Sequence, residues 1–213
     1  MKKYSYDVNK YDFVNQIESL YGISDLSMVH SQWSDAVEYE VLDDVETDQK
    51  TVYHKKFYKD SHQTNFYDVY KSFIEEFVKP IVNEKFLYQR IPTFRVHQPS
   101  NLAVAAFHKD RDYSHSEHEI NFYLPLTKAW GNNTIWTESE VGKKDYNPIE
   151  ANVGELWMWN GANLLHGNKI NDTGVSRVSV DFRVLPMRYY EDTNMVSITN
   201  KTKMVIGDYW ECI

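Results

Sequence analysis

The chain has 213 residues, of which 31 are acidic and 23 are basic, so its formal net charge is −8. An acidic chain without a basic block argues against binding to nucleic acid or to an anionic membrane surface. The single cysteine, Cys212, excludes an internal disulfide and any cysteine-based zinc or iron–sulfur site. The sequence starts without an apolar signal segment and has no apolar run long enough for a membrane span, so we expect a cytoplasmic protein.

Helical periodicity dominates the first part of the chain. Residues 11–21 place their apolar side chains on one stripe, and Gly22 is expected to end this helix. The longest periodic segment is 65–86, in which aromatic and aliphatic side chains recur three and four positions apart. Pro80 is expected to kink or end that second helix. Two such aromatic stripes predict helices that cover one face of a sheet.

The pattern changes to short strands from about residue 87 onward. The β-like segments are residues 93–98, 102–108, 119–126, 133–137, 154–159 and 176–185. Turn sequences such as Asn-Pro and Asn-Gly separate them. Helices followed by many short strands do not fit an alternating βαβ fold and favour a mainly β protein with a jelly-roll core, the double-stranded β-helix.

Three side chains could hold a metal ion. His108 and Asp110 stand where an apolar segment enters a polar loop, and His166 follows a later strand and a tight turn. Two imidazoles and one carboxylate can occupy one face of an octahedral ion and leave the opposite face open, an arrangement typical of non-haem iron. Taken alone, the same residues could equally be unrelated, hydrated loop side chains.

The strand RVSVDFRV adds a second candidate site. Its alternation places Arg177, Ser179, Asp181 and Arg183 on one face and apolar residues on the other. A polar face of this kind is usually exposed in an antiparallel sheet. An arginine beside a hydroxyl is nevertheless well suited to binding a carboxylate inside a barrel.

These segments in this order resemble the iron(II)/2-oxoglutarate-dependent oxygenases. More closely, FHKDRDYSH, EINFYLPLT, NTIWTESE, GANLLHGN and RVSVDFRVLP resemble a group of such proteins associated with streptomycin biosynthesis, distant relatives of phytanoyl-CoA dioxygenase. The resemblance covers roughly residues 93–187. It implies a single oxygenase domain with a helical support in residues 1–92, a jelly-roll catalytic core in 93–187 and a C-terminal extension in 188–213.

The resemblance also implies a role for each matching residue. His108, Asp110 and His166 would hold Fe(II), and Arg177 and Ser179 would bind the distal carboxylate of the co-substrate 2-oxoglutarate. Asn121 would be a further contact to 2-oxoglutarate, or else a structural residue bonded to strand ends. With O2 as second co-substrate, the expected reaction is oxidation of a substrate C–H bond, by default hydroxylation, with decarboxylation of 2-oxoglutarate to succinate.

The substrate-binding residues are less clearly marked. Arg95, Trp136, Glu138 and Arg183 are candidates because each shares a strand face with other polar or aromatic side chains. Ordinary structural roles compete with this assignment, since a tryptophan is commonly part of a core and an arginine commonly pairs with an acid. The polar character of the set favours a small polar metabolite as substrate.

Three alternatives remain open at this stage. A rival metal set consists of His115, Glu117 and His118, although its loop lacks a preceding apolar strand. The chain could also be a cupin-like metal-dependent isomerase or lyase, which needs no 2-oxoglutarate, or a non-catalytic jelly roll that binds a small molecule. Arg177 with Ser179 favours the oxygenase over the isomerase, and the complete His–Asp–His set disfavours the non-catalytic domain.

Overall fold

The computed structural model describes residues 1–33, 51–103, 107–197 and 201–213, and these form a mainly β protein with helices. The α-helices are α1 (Phe13–Tyr21), α2 (Val52–Asp60), α3 (Phe66–Phe73) and α4 (Lys79–Val82). A 3-10 segment, Leu26–Trp33, follows α1. None of the described helices combines the length and the apolar character that crossing a membrane requires.

The strands form two antiparallel sheets. The strands of the large sheet are β1 (Lys2–Ser5), β2 (Phe86–Gln89), β3 (Thr93–His97), β4 (Ile120–Pro125), β7 (Glu155–Trp159), β9 (Arg177–Pro186) and β10 (Trp210–Cys212). The small sheet consists of β5 (Trp136–Thr137), β6 (Asn147–Pro148) and β8 (His166–Gly167). The large sheet has the order β1-β7-β4-β9-β2-β10, with β3 also paired to β9, and the small sheet has the order β6-β5-β8.

Strand β9 organises the large sheet. Its first half pairs with β3, its second half with β2, and β4 runs along its other side. The predicted alternation in β9 is confirmed, because Val178, Val180, Phe182 and Val184 belong to the core under the helices. The polar residues of β9 therefore face the interior between the two sheets, where the candidate site lies.

Aromatic contacts attach the helices to the large sheet. The rings of Phe57 in α2 and Phe94 in β3 stack with their centres 4.3 Å apart, and Tyr70 in α3 meets Phe182 edge to face at 5.4 Å. All four side chains are almost completely buried. Helix α1 ends, as predicted, at Gly22, whose φ of 67° lies in the left-handed region that favours glycine.

The predicted helix over residues 65–86 is interrupted and ends earlier. A π-helical segment, Ile74–Val78, separates α3 from α4, and Asn83 ends α4 in a left-handed conformation. Pro80 lies in the first turn of α4, a position at which an α-helix tolerates the missing N–H of proline. Phe86 belongs to β2, so the last apolar positions of the periodic segment continue into the sheet.

The N-terminal and C-terminal regions contribute strands that the sequence pattern did not reveal. Strand β1 pairs with β7 at one edge of the large sheet, and β2 pairs with β9 near the other. At the end of the chain β10 pairs with β2. Residues 1–92 are therefore not purely helical, and their strands are continuous with the sheet that carries the candidate site.

The predicted strand over residues 133–137 is shorter than expected, and part of the one predicted over 102–108 lies outside the described residues. Within 133–137 only β5 is a strand, because Gly131–Asn133 form a 3-10 turn just before it. In 102–108, residues 104–106 lie outside the described residues, and of the rest only His108 pairs, in an isolated bridge with His166.

Candidate metal centre

The backbone brings the two predicted histidine ligands side by side. The N–H of His108 donates to the carbonyl of His166 at 2.8 Å, and the N–H of His166 donates back at 2.9 Å. His166 begins β8, which pairs with β5 in the small sheet. Asp110 follows two residues after His108, and its N–H donates to the carbonyl of Gly161 at 3.1 Å. Backbone hydrogen bonds thus hold all three residues at one end of the space between the sheets.

The side chains of His108, Asp110 and His166 converge. One ligand atom from each lies within 4.8 Å of the others, and no other such group of three occurs in the described ranges. Asp110 Oδ1 is 3.6 Å from the Nε2 atom of each histidine. Two donors that bind one ion at roughly 2.1 Å each lie about 3 to 4 Å apart. The spacing and the mixed imidazole–carboxylate chemistry therefore fit a divalent iron-like ion.

The environment of His166 favours the neutral imidazole that a metal ligand requires. Its Nδ1 lies 2.9 Å from the carbonyl oxygen of Leu164, so Nδ1–H donates there and the lone pair of Nε2 faces Asp110. Burial lowers the pKa of His166 to about 4, against the opposing effect of the Asp110 carboxylate. His166 is therefore uncharged at neutral pH with its free nitrogen directed to the cluster.

The two oxygens of Asp110 have different surroundings. Oδ1 faces the histidines, whereas Oδ2 accepts hydrogen bonds from Asn121 Nδ2 at 2.6 Å and from Arg183 Nε at 2.9 Å. Arg183 Nη2 lies 2.8 Å from the same oxygen. Burial would raise the pKa of Asp110, but the Arg183 guanidinium and the two histidines outweigh it and hold that pKa well below its usual range. Asp110 is thus a buried carboxylate that stays ionised.

These contacts connect Asn121 and Arg183 to Asp110. Asn121 was expected either at 2-oxoglutarate or as a structural residue, and Arg183 at the substrate; both side chains border the cavity and also bond to Asp110. The reason is the register of the sheet, in which Asn121 of β4 lies opposite Arg183 of β9, so both point to the same carboxylate.

Arg177 lies on the same inner face of β9, farther from the triad. Its side chain is fully buried; Nε donates to the carbonyl of Asn133 at 2.9 Å and Nη1 donates to Ser179 Oγ at 2.7 Å. The guanidinium also lies 5.9 Å from the ring centre of Tyr123. The predicted Arg177–Ser179 pair is therefore formed in the interior, with the planar guanidinium held in a defined orientation.

A cavity opens beside the triad and is lined mainly by polar side chains. Arg95 and Asp181 border it and form an ion pair, with Arg95 Nε 2.7 Å from Asp181 Oδ1. Trp159 also borders the cavity, and its ring meets the ring of His166 edge to face at 4.7 Å. Arg95 thus lies where a substrate-binding residue is expected, already neutralised by an acid.

The side chains of Trp136 and Glu138, two predicted substrate contacts, bind other parts of the protein. The indole N–H of Trp136 donates to the carbonyl of Gly131 at 3.0 Å, and the Lys169 ammonium lies 3.2 Å from the ring centre. The buried Glu138 carboxylate accepts three backbone N–H groups at 2.8 to 3.2 Å, from Gly142, Lys144 and Leu165. Although burial raises the pKa of Glu138, these bonds lower it overall. The Glu138 carboxylate therefore holds a loop through backbone N–H groups, and Glu138 is not among the described residues that border the cavity beside the triad.

The rival metal set is dispersed. His115 Nδ1 is 2.8 Å from Glu119 Oε2, a residue outside the set, while the ring of His118 stacks on Tyr189 at 3.8 Å. The Glu117 side chain is 61% exposed, so it contributes to no buried cluster. In this polar loop His115 therefore pairs with Glu119, and the side chains of His115, Glu117 and His118 do not converge on one point.

Asp181 lies in the cavity lining, on the polar face of β9 that the sequence pattern had placed inside, whereas sequence reasoning overlooked Asn168. Both residues border the cavity beside the triad. Asn168 stands two positions after His166, so period-2 alternation was the signal that could have identified it. The ion pair with Arg95 depends on the pairing of β3 with β9, which the sequence pattern does not reveal.

Comparison with known proteins gives one close relative and several distant structures. The chain is 38% identical over 216 residues to the streptomycin biosynthesis protein StrG of Streptomyces griseus, and the match covers 100% of both chains. HygX from Streptomyces hygroscopicus, solved with nickel and 2-oxoglutarate, is 11% identical, with a TM-score of 0.48 over 98% of this chain and 90% of that chain. AviO1 from Streptomyces viridochromogenes Tue57 is 13% identical, with a TM-score of 0.47 over 84% and 87%. No protein-family model matches.

Proposed function

We propose that this chain, which belongs to the family of the streptomycin biosynthesis protein StrG, is an Fe(II)- and 2-oxoglutarate-dependent oxygenase. The observation that carries the proposal is the convergence of His108, Asp110 and His166, with ligand atoms within 4.8 Å of one another. Two imidazole nitrogens and one carboxylate oxygen form a donor set suited to Fe(II). We propose that the two sheets around this set form a jelly-roll core, in which strands from residues 93–187 are joined by β1, β2 and β10.

Arg177 and Ser179 supply the proposed site for the distal carboxylate of 2-oxoglutarate. A fully buried guanidinium beside a hydroxyl can bind a carboxylate through charge-assisted hydrogen bonds in a region shielded from water. Its existing bonds to Asn133 and Ser179 hold the guanidinium plane before the ligand arrives. This residue pair favours the oxygenase over a cupin-like isomerase or lyase, because such an enzyme needs no 2-oxoglutarate and therefore no site for its distal carboxylate.

The protein residues divide the work between binding and orientation. When bound, Fe(II) with 2-oxoglutarate and O2 supplies the oxidising chemistry, in which 2-oxoglutarate is decarboxylated to succinate and a substrate C–H bond is oxidised. His108, Asp110 and His166 hold the ion from one side, and Arg177 orients the co-substrate. Trp159 and the neighbouring core keep bulk water from the triad.

The proposed substrate is a small polar metabolite. The cavity beside the triad is bordered by the Arg95–Asp181 ion pair and by Asn168, and these groups can donate and accept hydrogen bonds to a hydroxylated or charged compound. Hydroxylation is the default outcome that we propose.

The direct test is an anaerobic titration of the protein with Fe(II) and then 2-oxoglutarate. We expect the visible metal-to-ligand charge-transfer absorption that chelation of Fe(II) by a 2-oxo acid produces, with one equivalent of each component per chain. Fe(II) binding without this absorption would favour the isomerase or lyase alternative. If the protein binds neither component, the non-catalytic alternative is correct.

A further inference from the structure

The second oxygen of Asp110 is saturated with donors. Asn121 Nδ2, Arg183 Nε and Arg183 Nη2 all lie between 2.6 and 2.9 Å from Oδ2. A carboxylate oxygen has two lone pairs, and the hydrogen bonds from Asn121 Nδ2 and Arg183 Nε occupy both, which leaves Oδ2 no capacity for a metal ion. Oδ1, by contrast, faces the two imidazoles.

Both donor side chains are themselves fixed. Asn121 Oδ1 accepts the N–H of Ala162 at 3.1 Å, which orients its amide so that Nδ2 points to Asp110. Gly161 packs against this amide so closely that a Cβ atom there would lie 2.8 Å from Asn121 Cγ. A second buried acid, Glu119, lies near Arg183, with its Oε2 3.7 Å from Arg183 Nε. Asn121 and Arg183 together form a clamp on Oδ2, and this clamp is part of a rigid buried network.

We propose that Asn121 and Arg183 are positioning residues that restrict Asp110 to one-oxygen ligation of the metal ion. The inference rests on the proposed function, because it concerns the same metal centre. A free carboxylate can bind an ion through one oxygen or through both. The two hydrogen bonds to Oδ2, one from Asn121 and one from Arg183, remove binding through both oxygens.

The consequence concerns the coordination positions that remain for co-substrates. An octahedral ion with three protein donors has about three open positions, and a second carboxylate oxygen would take one of them. Chelation by 2-oxoglutarate uses two positions, so the clamp preserves the last one for O2. The positive charge of Arg183 by itself would disfavour a metal cation nearby. The clamp role explains why a buried arginine stands beside a metal ligand.

Mn(II) alone is the probe for this inference. Water-proton relaxation of the Mn(II)-loaded protein counts the water molecules bound to the ion without requiring catalysis. We expect about three waters in the wild-type protein and about two in Asn121→Ala and in Arg183→Met, because Oδ2 then enters the coordination sphere. Mn(II) affinity should not fall in either variant, because the freed oxygen adds a ligand.

Two further variants separate positioning from a general loss of structure. Arg183→Lys retains a charged donor and should restore the wild-type water count. Arg95→Met removes a different cavity cation, one that pairs with Asp181, and should leave the count unchanged. If Arg183→Met does not fold, Asn121→Ala decides the matter.

The outcomes separate this inference from the proposed function. If the wild-type protein does not bind Mn(II), the proposed metal centre fails. If the wild-type protein binds Mn(II) and both clamp variants keep about three waters, or lose Mn(II) while still folded, the metal centre stands and the positioning role is wrong.

Discussion

His108 and His166 are joined by a reciprocal pair of backbone hydrogen bonds of 2.8 and 2.9 Å, although they lie in different parts of the sequence. This pair fixes the Cα positions of two proposed metal ligands independently of any ion. The ligand side chains therefore start from a backbone that already has the geometry of the site, so less ordering is required when a metal binds.

Replacement of Asp110 by alanine should abolish tight Fe(II) binding, because it removes the anionic ligand. We expect the affinity to fall by more than the 10–100-fold that loss of a supporting side chain causes. The metal-free variant should also lose about 3 kcal/mol of stability, because Arg183 remains buried without its closest acid. Calorimetric titration and urea unfolding measure the two effects. Glu117→Ala and His118→Ala are the controls, and retention of Fe(II) by Asp110→Ala with loss in the controls would contradict the assignment.

Arg177 should control the affinity for 2-oxoglutarate and leave metal binding almost unchanged. Arg177→Ala leaves the distal carboxylate buried without a cation, a loss of about 3–5 kcal/mol, which corresponds to a rise in the apparent dissociation constant of at least about a hundredfold. Arg177→Lys keeps the charge without the planar fork and should have a smaller effect. Titration of each variant with 2-oxoglutarate at fixed Fe(II) measures this. If Arg177→Ala bound 2-oxoglutarate with wild-type affinity, another cation would have to bind the distal carboxylate, and Arg183 and Arg95 would be the next candidates.

The stability of the metal-free protein should decrease between pH 6.5 and pH 4. His166 has a pKa of about 4 in the folded protein, against 6.5 as its ordinary value, so the unfolded chain binds the additional proton over this range. Stability therefore rises with pH there, and the contribution lost on acidification is at most about 3 kcal/mol.

The measurement is urea unfolding at several pH values with a chelator present, for the wild-type protein and for His166→Asn. Acidic groups elsewhere titrate in both proteins, so the difference between the two curves isolates His166. The variant should have the shallower pH dependence between pH 6.5 and pH 4. Parallel curves would show that His166 is not buried as the neutral imidazole.

Gly161→Ala should destabilise the protein through its contact with Asn121. The added Cβ would lie 2.8 Å from Asn121 Cγ and Nδ2, and overpacking of a buried site costs about 1–3 kcal/mol. In an Asn121→Ala background the same substitution should cost much less, because the clashing amide is gone. A double-mutant cycle by urea unfolding measures this coupling, and additive effects of the two substitutions would exclude it.

The local sequence pattern was sufficient to predict the elements in which apolar residues recur at a regular spacing, such as every second residue of a strand. The alternation in RVSVDFRV determines which side of β9 meets the helices, because a strand that pairs on both sides can bury only one apolar face against them. The order of His108, Asp110 and His166, with Arg177 after them, likewise identified the residues that converge on the interior. Strands β1, β2 and β10 escaped prediction because they are too short to have a period of their own and depend on pairing partners.

The roles of individual polar side chains were decided by tertiary structure alone. Asn121 and Arg183 are 11 and 73 residues from Asp110, and they meet it because strands β4 and β9 pair in one particular register. The sequence made Glu138 a candidate substrate contact, but in the folded protein its carboxylate accepts hydrogen bonds from three backbone N–H groups. A buried charge takes whichever partners the fold brings within hydrogen-bond distance, and one residue's place in the sequence does not specify those partners. The amino-acid order therefore determined which residues face the interior, and the pairing of distant strands determined which of them bind each other and which face the cavity.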